Sequence, residues 1–246
     1  MRLRGGIALL TLFCLAVAAR GAGCDALFLE GVDAYRANDY TRAADAFRDS
    51  ARLQPASGTL QNLGNAEWQR GKAGAAIRAW EQAVWLDPFN ATAREDLRYA
   101  RKAAQVDSPE LTWCEVVSSW LPVNWWGWIT GGSLWLATGM TLLPGILRQR
   151  KAAWHQALAA LGLTAFLLSV PAQLGVHTRS RIGFALGKDT ALRLTPTQDA
   201  QTVARLPGGK PARCERTRGN FVLIRTSPDG ARGWVTREEF GLICPE

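Results

Sequence analysis

Apolar positions recur every three or four residues from Cys24 to Gln105, then fill two long blocks between Trp125 and Val176. From Thr190 to Phe240 they alternate instead. The three regimes predict packed amphipathic helices, two membrane-length helices and a set of short strands, in that order. The expected fold class is therefore multi-domain: an all-α repeat solenoid, a two-helix transmembrane hairpin and a small all-β barrel. The expected boundaries are a leader at 1–23, helices at 24–106, an interfacial amphipathic segment at 107–124 and spans at 125–147 and 154–176 around a basic loop at 148–153. A linker at 177–189 and a barrel at 190–246 complete the chain.

The first regime repeats itself. "GVDAYRANDYTRAADAFRDSARLQP" begins at Gly31, and "GNAEWQRGKAGAAIRAWEQAVWLDP" begins at Gly64. They align without a gap at an offset of 33, pairing Gly31 with Gly64, Tyr35 with Trp68, Ala43 with Ala76, Phe47 with Trp80 and Pro55 with Pro88. A mid-helix Gly costs about 1 kcal/mol relative to Ala, which makes sense where a neighbouring helix must come close. Phe47 and Trp80 supply bulk, and Pro55 and Pro88 stop each second helix. A third helix over about 92–105, with Ala93, Leu97, Ala100 and Ala104 at helical spacing, is expected to cap the stack.

This pattern resembles the tetratricopeptide repeat, whose period is about 34 residues. The resemblance implies a concave surface built from the first helix of each pair, used to hold a protein partner. The residues expected on that face are Asp33, Arg36, Asn62, Asn65 and Gln69. Asn65 follows Gly64 where many peptide-binding relatives carry Asn. Two repeats make a short groove, enough for a few residues of an extended peptide or a helix.

"ELTWCEVVSSWLP" after Asp107-Ser108-Pro109 reads as a short amphipathic helix, capped by Ser108 and opened by Pro109. Trp113 and Trp120 would lie at headgroup level. The two apolar blocks each run to about 23 residues, long enough to span. Trp125, Trp126, Trp128 and Trp154 cluster near their ends, as interfacial anchors do. Arg148, Arg150 and Lys151 set the topology: short basic loops stay cytoplasmic, so both flanking units are expected outside. Gly127 and Gly131 form a small-xxx-small pair, with Gly139 beyond; Gly is common in spans, so this is weak ground for a packing seam.

In the last regime "TALRLTP", "QTVARLPGG", "NFVLIRT", the turn "SPDG" and "RGWVTREEF" predict five short strands. "ALRLTPTQDAQTVARLPGG" and "GWV" resemble the bacterial SH3-type domain. That resemblance implies a peptidoglycan- or peptide-binding face, for which Trp234, Phe221 and Arg193 are the candidates. Trp234 is expected to fix the barrel core and rim.

Charge and cysteine content narrow the function. The chain carries a net +8. From Cys24 to Glu110 there are 11 basic and 13 acidic residues; from His177 to Glu246 there are 12 and 7. The rest of the basic residues flank apolar runs, and nowhere do basic and aromatic residues interleave densely as a nucleic-acid surface requires. Arg2 and Arg4 before "GIALLTLFCLAVAA" mark an export leader. Its fate stays open between cleavage near Ala19 or Gly23, lipidation of Cys24 and retention as an anchor. Cys214 and Cys244 could bridge in an exported compartment or stay separate thiols. No spacing of His, Cys and carboxylates suits a metal, no cofactor motif is present, and no nucleophile has a base beside it. The chain therefore reads as a non-enzyme.

The order of leader, repeats, two spans and SH3-type barrel resembles the BatE-like proteins of the bacterial aerotolerance (Bat) cluster. "PFNATAREDLRYARK" is among the stretches that carry the likeness. It implies an inner-membrane scaffold with both soluble units in the periplasm, beside von Willebrand A-type membrane proteins and a MoxR-type ATPase. The alternative is a cell-wall binder that grips peptidoglycan through the barrel.

Overall fold

A computed structural model describes residues 23–146, 153–227 and 229–244. Most of the expected leader, the basic turn with Arg148, Arg150 and Lys151, Pro228 of the SPDG turn and residues 245–246 lie outside the described residues. Among the described residues eight helices come first and a seven-stranded antiparallel sheet follows.

The helical unit holds α1 (23–36), α2 (Tyr40–Leu53), α3 (Ser57–Gln69), α4 (Ala73–Leu86) and α5 (Ala91–Ala104). Asp39 caps α2 by accepting the Arg42 N–H at 3.1 Å, and Asn90 caps α5 by accepting the Ala93 N–H at 3.0 Å. Ala43, Ala44, Phe47, Ala76, Ile77 and Trp80 form the centre of its core. The two aligned glycines sit where the helices are tightest. A Cβ on Gly31 would lie 2.7 Å from the Phe47 ring, and one on Gly64 would lie 2.6 Å from the Trp80 indole. The aligned residue pairs thus make equivalent packing contacts.

α6 (Trp113–Ser118) starts later than its sequence suggested. Thr112, not Ser108, is the cap, because Glu115 completes a capping box by accepting the Thr112 N–H at 2.8 Å. α6 does not stand alone. It packs on α8, with Glu115 fully buried, while Trp113 and Trp120 remain exposed.

α7 (Val123–Ile146) and α8 (Ala153–Arg179) pack side by side. Their direction is antiparallel, since Thr130 meets Ser169 (Oγ atoms 3.0 Å apart) while Ser133 and Ala137 meet Gly162. A Cβ on Gly162 would lie 2.8 Å from the Ala137 nitrogen, so Gly162 permits the close approach; Gly127, Gly131 and Gly139 have nothing within 4 Å. Among the described helices only α8 is long and apolar enough to cross a membrane by length and composition. α7 is uncharged, but its four Trp and five Gly dilute its hydropathy. The pair turns Trp128, Trp135, Leu142, Leu161, Leu167 and Leu168 outward.

The sheet runs β3-β2-β6-β5-β4-β1-β7, with β1 at Ile182–Ala185, β2 at Asp189–Arg193, β3 at Thr202–Pro207 and β4 at Pro211–Arg218. β5 is Phe221–Thr226, β6 Arg232–Thr236 and β7 Phe240–Leu242. Seven strands replace the expected five, and the sheet begins inside the stretch expected to be linker. β1 is buried on every residue, so it shows no alternation to read. Val235, not Trp234, occupies the core: Gly233 and Val235 point inward, and Trp234 is half-buried on the opposite face.

The sheet does not hang free of the helices. Ile182, Phe184 and Ile243 belong to the helical core. Arg78 Nε and Gln82 Nε2 of α4 both donate to the Leu242 carbonyl, at 3.0 and 3.2 Å.

Candidate partner-binding groove

Residues mainly of α1, α3 and α5 line two neighbouring hollows. One, of about 210 Å3, is lined by Val32, Tyr35, Arg36, Phe47, Asn62 and Asn65. The other, of about 290 Å3, shares Tyr35 and Asn65 and adds Trp68, Gln69, Trp80, Asp96 and Tyr99. Helical spacing explains the lining. Asn62, Asn65 and Gln69 recur on one stripe of α3, and Asp96 and Tyr99 are three apart on α5.

Asn65 is the pivot. Its Oδ1 accepts the Trp80 Nε1–H at 3.0 Å. Because an indole N–H only donates, that bond fixes which end of the amide faces Trp80 and leaves the NH2 as a donor. Trp80 in turn stands 5.9 Å from Trp68, and Trp68 lies edge-on to Tyr99 at 5.9 Å. The trough therefore has an aromatic floor, an oriented amide donor and a carboxylate at Asp96. Burial, then the charge of Glu95, raises the Asp96 pKa above its ordinary value. Arg36 stands at the rim, paired with Asp33 at 3.8 Å; both are exposed, so the pair adds little stability. Such a lining suits an extended peptide, whose carbonyls meet the amide donor while its side chains lie on the rings.

Four of the five residues expected on the concave face line this trough: Arg36, Asn62, Asn65 and Gln69. Asp33 does not. It lines a separate hollow on the outer side of α1, beside Glu30, Asp39 and Arg42. The 33-residue offset held the clue, since Val32, not Asp33, aligns with Asn65. Asp96 and Tyr99 were missed because α5 reads as a cap, yet its exposed Tyr99 extends the aromatic row.

The candidate residues on the sheet share one face. Arg193 on β2 pairs across to Trp234 on β6, which pairs to Leu223 on β5, and Phe221 lies two residues along β5. Arg193 is additionally 3.7 Å from Glu239. Cys214 is a free, half-buried thiol on β4, so the bridge to Cys244 is not made. Cys24 is buried at the start of α1, its Sγ 3.3 Å from the Ser50 hydroxyl, and a lipid attached to that sulfur would need it to leave this seat.

A further cluster joins α6, α8 and β4. Arg213 forks onto Glu115, with both guanidinium nitrogens 2.7 Å from its oxygens. Burial, the largest single influence on Glu115, raises its pKa; hydrogen bonds from Arg213, the Thr112 N–H and Thr178, with the Arg213 charge, outweigh it and hold the carboxyl down at about 2. The sequence offered one sign: Glu115 is the only carboxylate between Glu110 and Asp189. Among the described residues no group of three His, Cys, Asp or Glu could hold a metal ion. No protein-family model matches the chain, and no curated protein is significantly similar to it.

Proposed function

We propose that the chain is a membrane-anchored, non-enzymatic scaffold of the bacterial envelope whose α1–α3–α5 trough holds an extended segment of a protein partner. The observation that carries this is the oriented amide of Asn65, bonded to Trp80, in a hollow that Tyr35, Trp68 and Tyr99 also line. In this reading the helical unit is a tetratricopeptide repeat stack and the sheet an SH3-type barrel. α7 and α8 form a hairpin through the inner membrane, with both soluble units periplasmic. The outward apolar surface of the pair supports that placement. So does topology. The sheet packs against α4, so the chain before α7 and after α8 lies on one side. Should α8 cross a bilayer, α7 must cross as well, despite its lower hydropathy. The likeness to the Bat cluster suggests von Willebrand A-type membrane proteins as partners in a stress-tolerance assembly.

Asn65→Asp tests the groove. Asp keeps an acceptor for Trp80 but deletes the amide donor, so the unit stays folded while partner capture falls about tenfold. The readout is crosslinking in intact cells through a photoreactive residue at Tyr99, followed by identification of the captured protein. Unchanged capture by Asn65→Asp and by Arg36→Glu would sink the groove as the site. A second reading, wall binding, is favoured by the single face that brings together Arg193, Trp234 and Phe221. It expects purified protein to sediment with peptidoglycan and to lose that property on Trp234→Ala.

A further inference from the structure

A larger hollow, of about 470 Å3, opens on a different side of α4 and α5, between them and the residues flanking α6, the end of α8, Ile182 of β1 and Ile243. Its charged lining is Arg94, Arg98 and Arg101 from α5, Arg179 from the end of α8, and Glu81 from α4. Glu81 is ion-paired with Arg101, which leaves three guanidinium groups without a lining carboxylate. Arg94 and Arg98 are exposed and make no ion pair among the described residues. Arg179 is different in kind. Only 6% of it is exposed, and its guanidinium stacks over Trp85 at 5.0 Å. Among the described residues nothing hydrogen-bonds or ion-pairs with it. The neighbouring carboxylate, Glu115, is taken up by both nitrogens of Arg213. A buried guanidinium is costly unless an anion meets it, and its planar fork of donors matches phosphate oxygens. The opposite wall is apolar, from Leu97, Leu111, Ile182 and Ile243.

The place of the hollow narrows the ligand. Arg179 is the last residue of α8, the helix apolar enough to span, and Ser119 on the rim lies next to exposed Trp120. Charged headgroups begin at that level of a bilayer. We infer that this hollow is a binding site for a phosphate ester, supplied by the headgroup of an anionic phospholipid, with Arg179 as the buried contact and Arg94 and Arg98 as the outer clamp. The lipid source rests on the reading of α8 as a membrane span; the phosphate chemistry does not.

The test uses the full-length protein, solubilised in detergent and relipidated with mixed phosphatidylglycerol and phosphatidylcholine, with retained lipid read by native mass spectrometry. The wild type is expected to retain phosphatidylglycerol at least tenfold over phosphatidylcholine. Arg94→Gln with Arg98→Gln, both on the surface, is expected to abolish that preference with the circular dichroism unchanged. Arg216→Gln with Arg218→Gln on β4 removes the same charge elsewhere and is expected to keep it. Equal retention by the wild type and the Arg94/Arg98 variant would overturn the site. Carbonate extraction of cell membranes separates this from the membrane reading. Protein that stays in the membrane but shows no preference refutes the site alone. Protein that is extracted, and binds glycerol phosphate or inorganic phosphate as well as lipid, overturns the lipid assignment.

Discussion

Replacing Gly64 by Ala probes the closest glycine contact between helices of the α1–α5 unit. The new Cβ would lie 2.6, 2.7 and 2.8 Å from three indole atoms of Trp80, where ordinary contact begins at 3.4 Å. The ring must therefore retreat by 0.6–0.8 Å (3.4 − 2.8 to 3.4 − 2.6). It has little room, being 3% exposed, packed near Trp68 and tied to Asn65 at 3.0 Å. Overpacking of this kind costs about 2 kcal/mol, and loosening the Asn65 bond adds about 1. The gain in helix propensity over Gly returns about 1. The net loss is about 2 kcal/mol, which raises the open fraction about 30-fold. Hydrogen exchange of peptides from α3 and α4, measured by mass spectrometry on the detergent-solubilised chain, reads that fraction directly. Gly58→Ala lies in the same helix with no atom within 4 Å, so it should slow exchange instead. Unchanged protection of α4 in Gly64→Ala would show that the indole yields freely, and that the Gly64–Trp80 contact is not what sets the helix spacing.

Other expectations concern the joints between elements. The folded-state pKa of Glu115, about 2, lies below the roughly 4.3 of an unfolded Glu, so its contribution is complete above about pH 4.3 and disappears as pH falls through 2. Exchange protection of α6, corrected for intrinsic rates, should fall in that window; Glu115→Gln should lose about 3 kcal/mol at pH 7 and show no such titration, and a titration shared by both proteins would count against the pair. Cysteines at Thr130 and Ser169, whose hydroxyls are 3.0 Å apart, should crosslink α7 to α8, and added Gly162→Ala but not Gly131→Ala should prevent it. In the sheet, Val235→Ala should cost about 2–3 kcal/mol while Trp234→Ala costs less, because Val235 is the core residue; equal losses by thermal melting would reverse that assignment.

What the sequence disclosed was what it writes locally. Gly31, Phe47, Gly64 and Trp80 declare their packing through a fixed offset along the chain. β5 and β6 were visible because one face of each is buried and the other is not. β1 failed that test, being buried throughout. Alternation also leaves open which face is inner, and bulk misled at Trp234 where the smaller Val235 points inward. Groove residues on α3 followed from repeat logic, but Tyr99 and Asp96 needed the knowledge that α5 continues the same surface. Glu115 and Arg213 are 98 residues apart, and no periodicity joins them.

The hold of α4 on the Leu242 carbonyl also bears on biogenesis. Arg78 and Leu242 are separated by 164 residues, so this side of α4 stays uncovered until Leu242 has been made. Loop closure over such a distance is slow and comes late. Synthesis begins at the N-terminus, so α4 is expected to wait, with apolar surface bared, while the residues up to Leu242 are translated. A chaperone is therefore expected to shield that surface during synthesis, and truncations before Leu242 should be degraded as though the first helices were damaged.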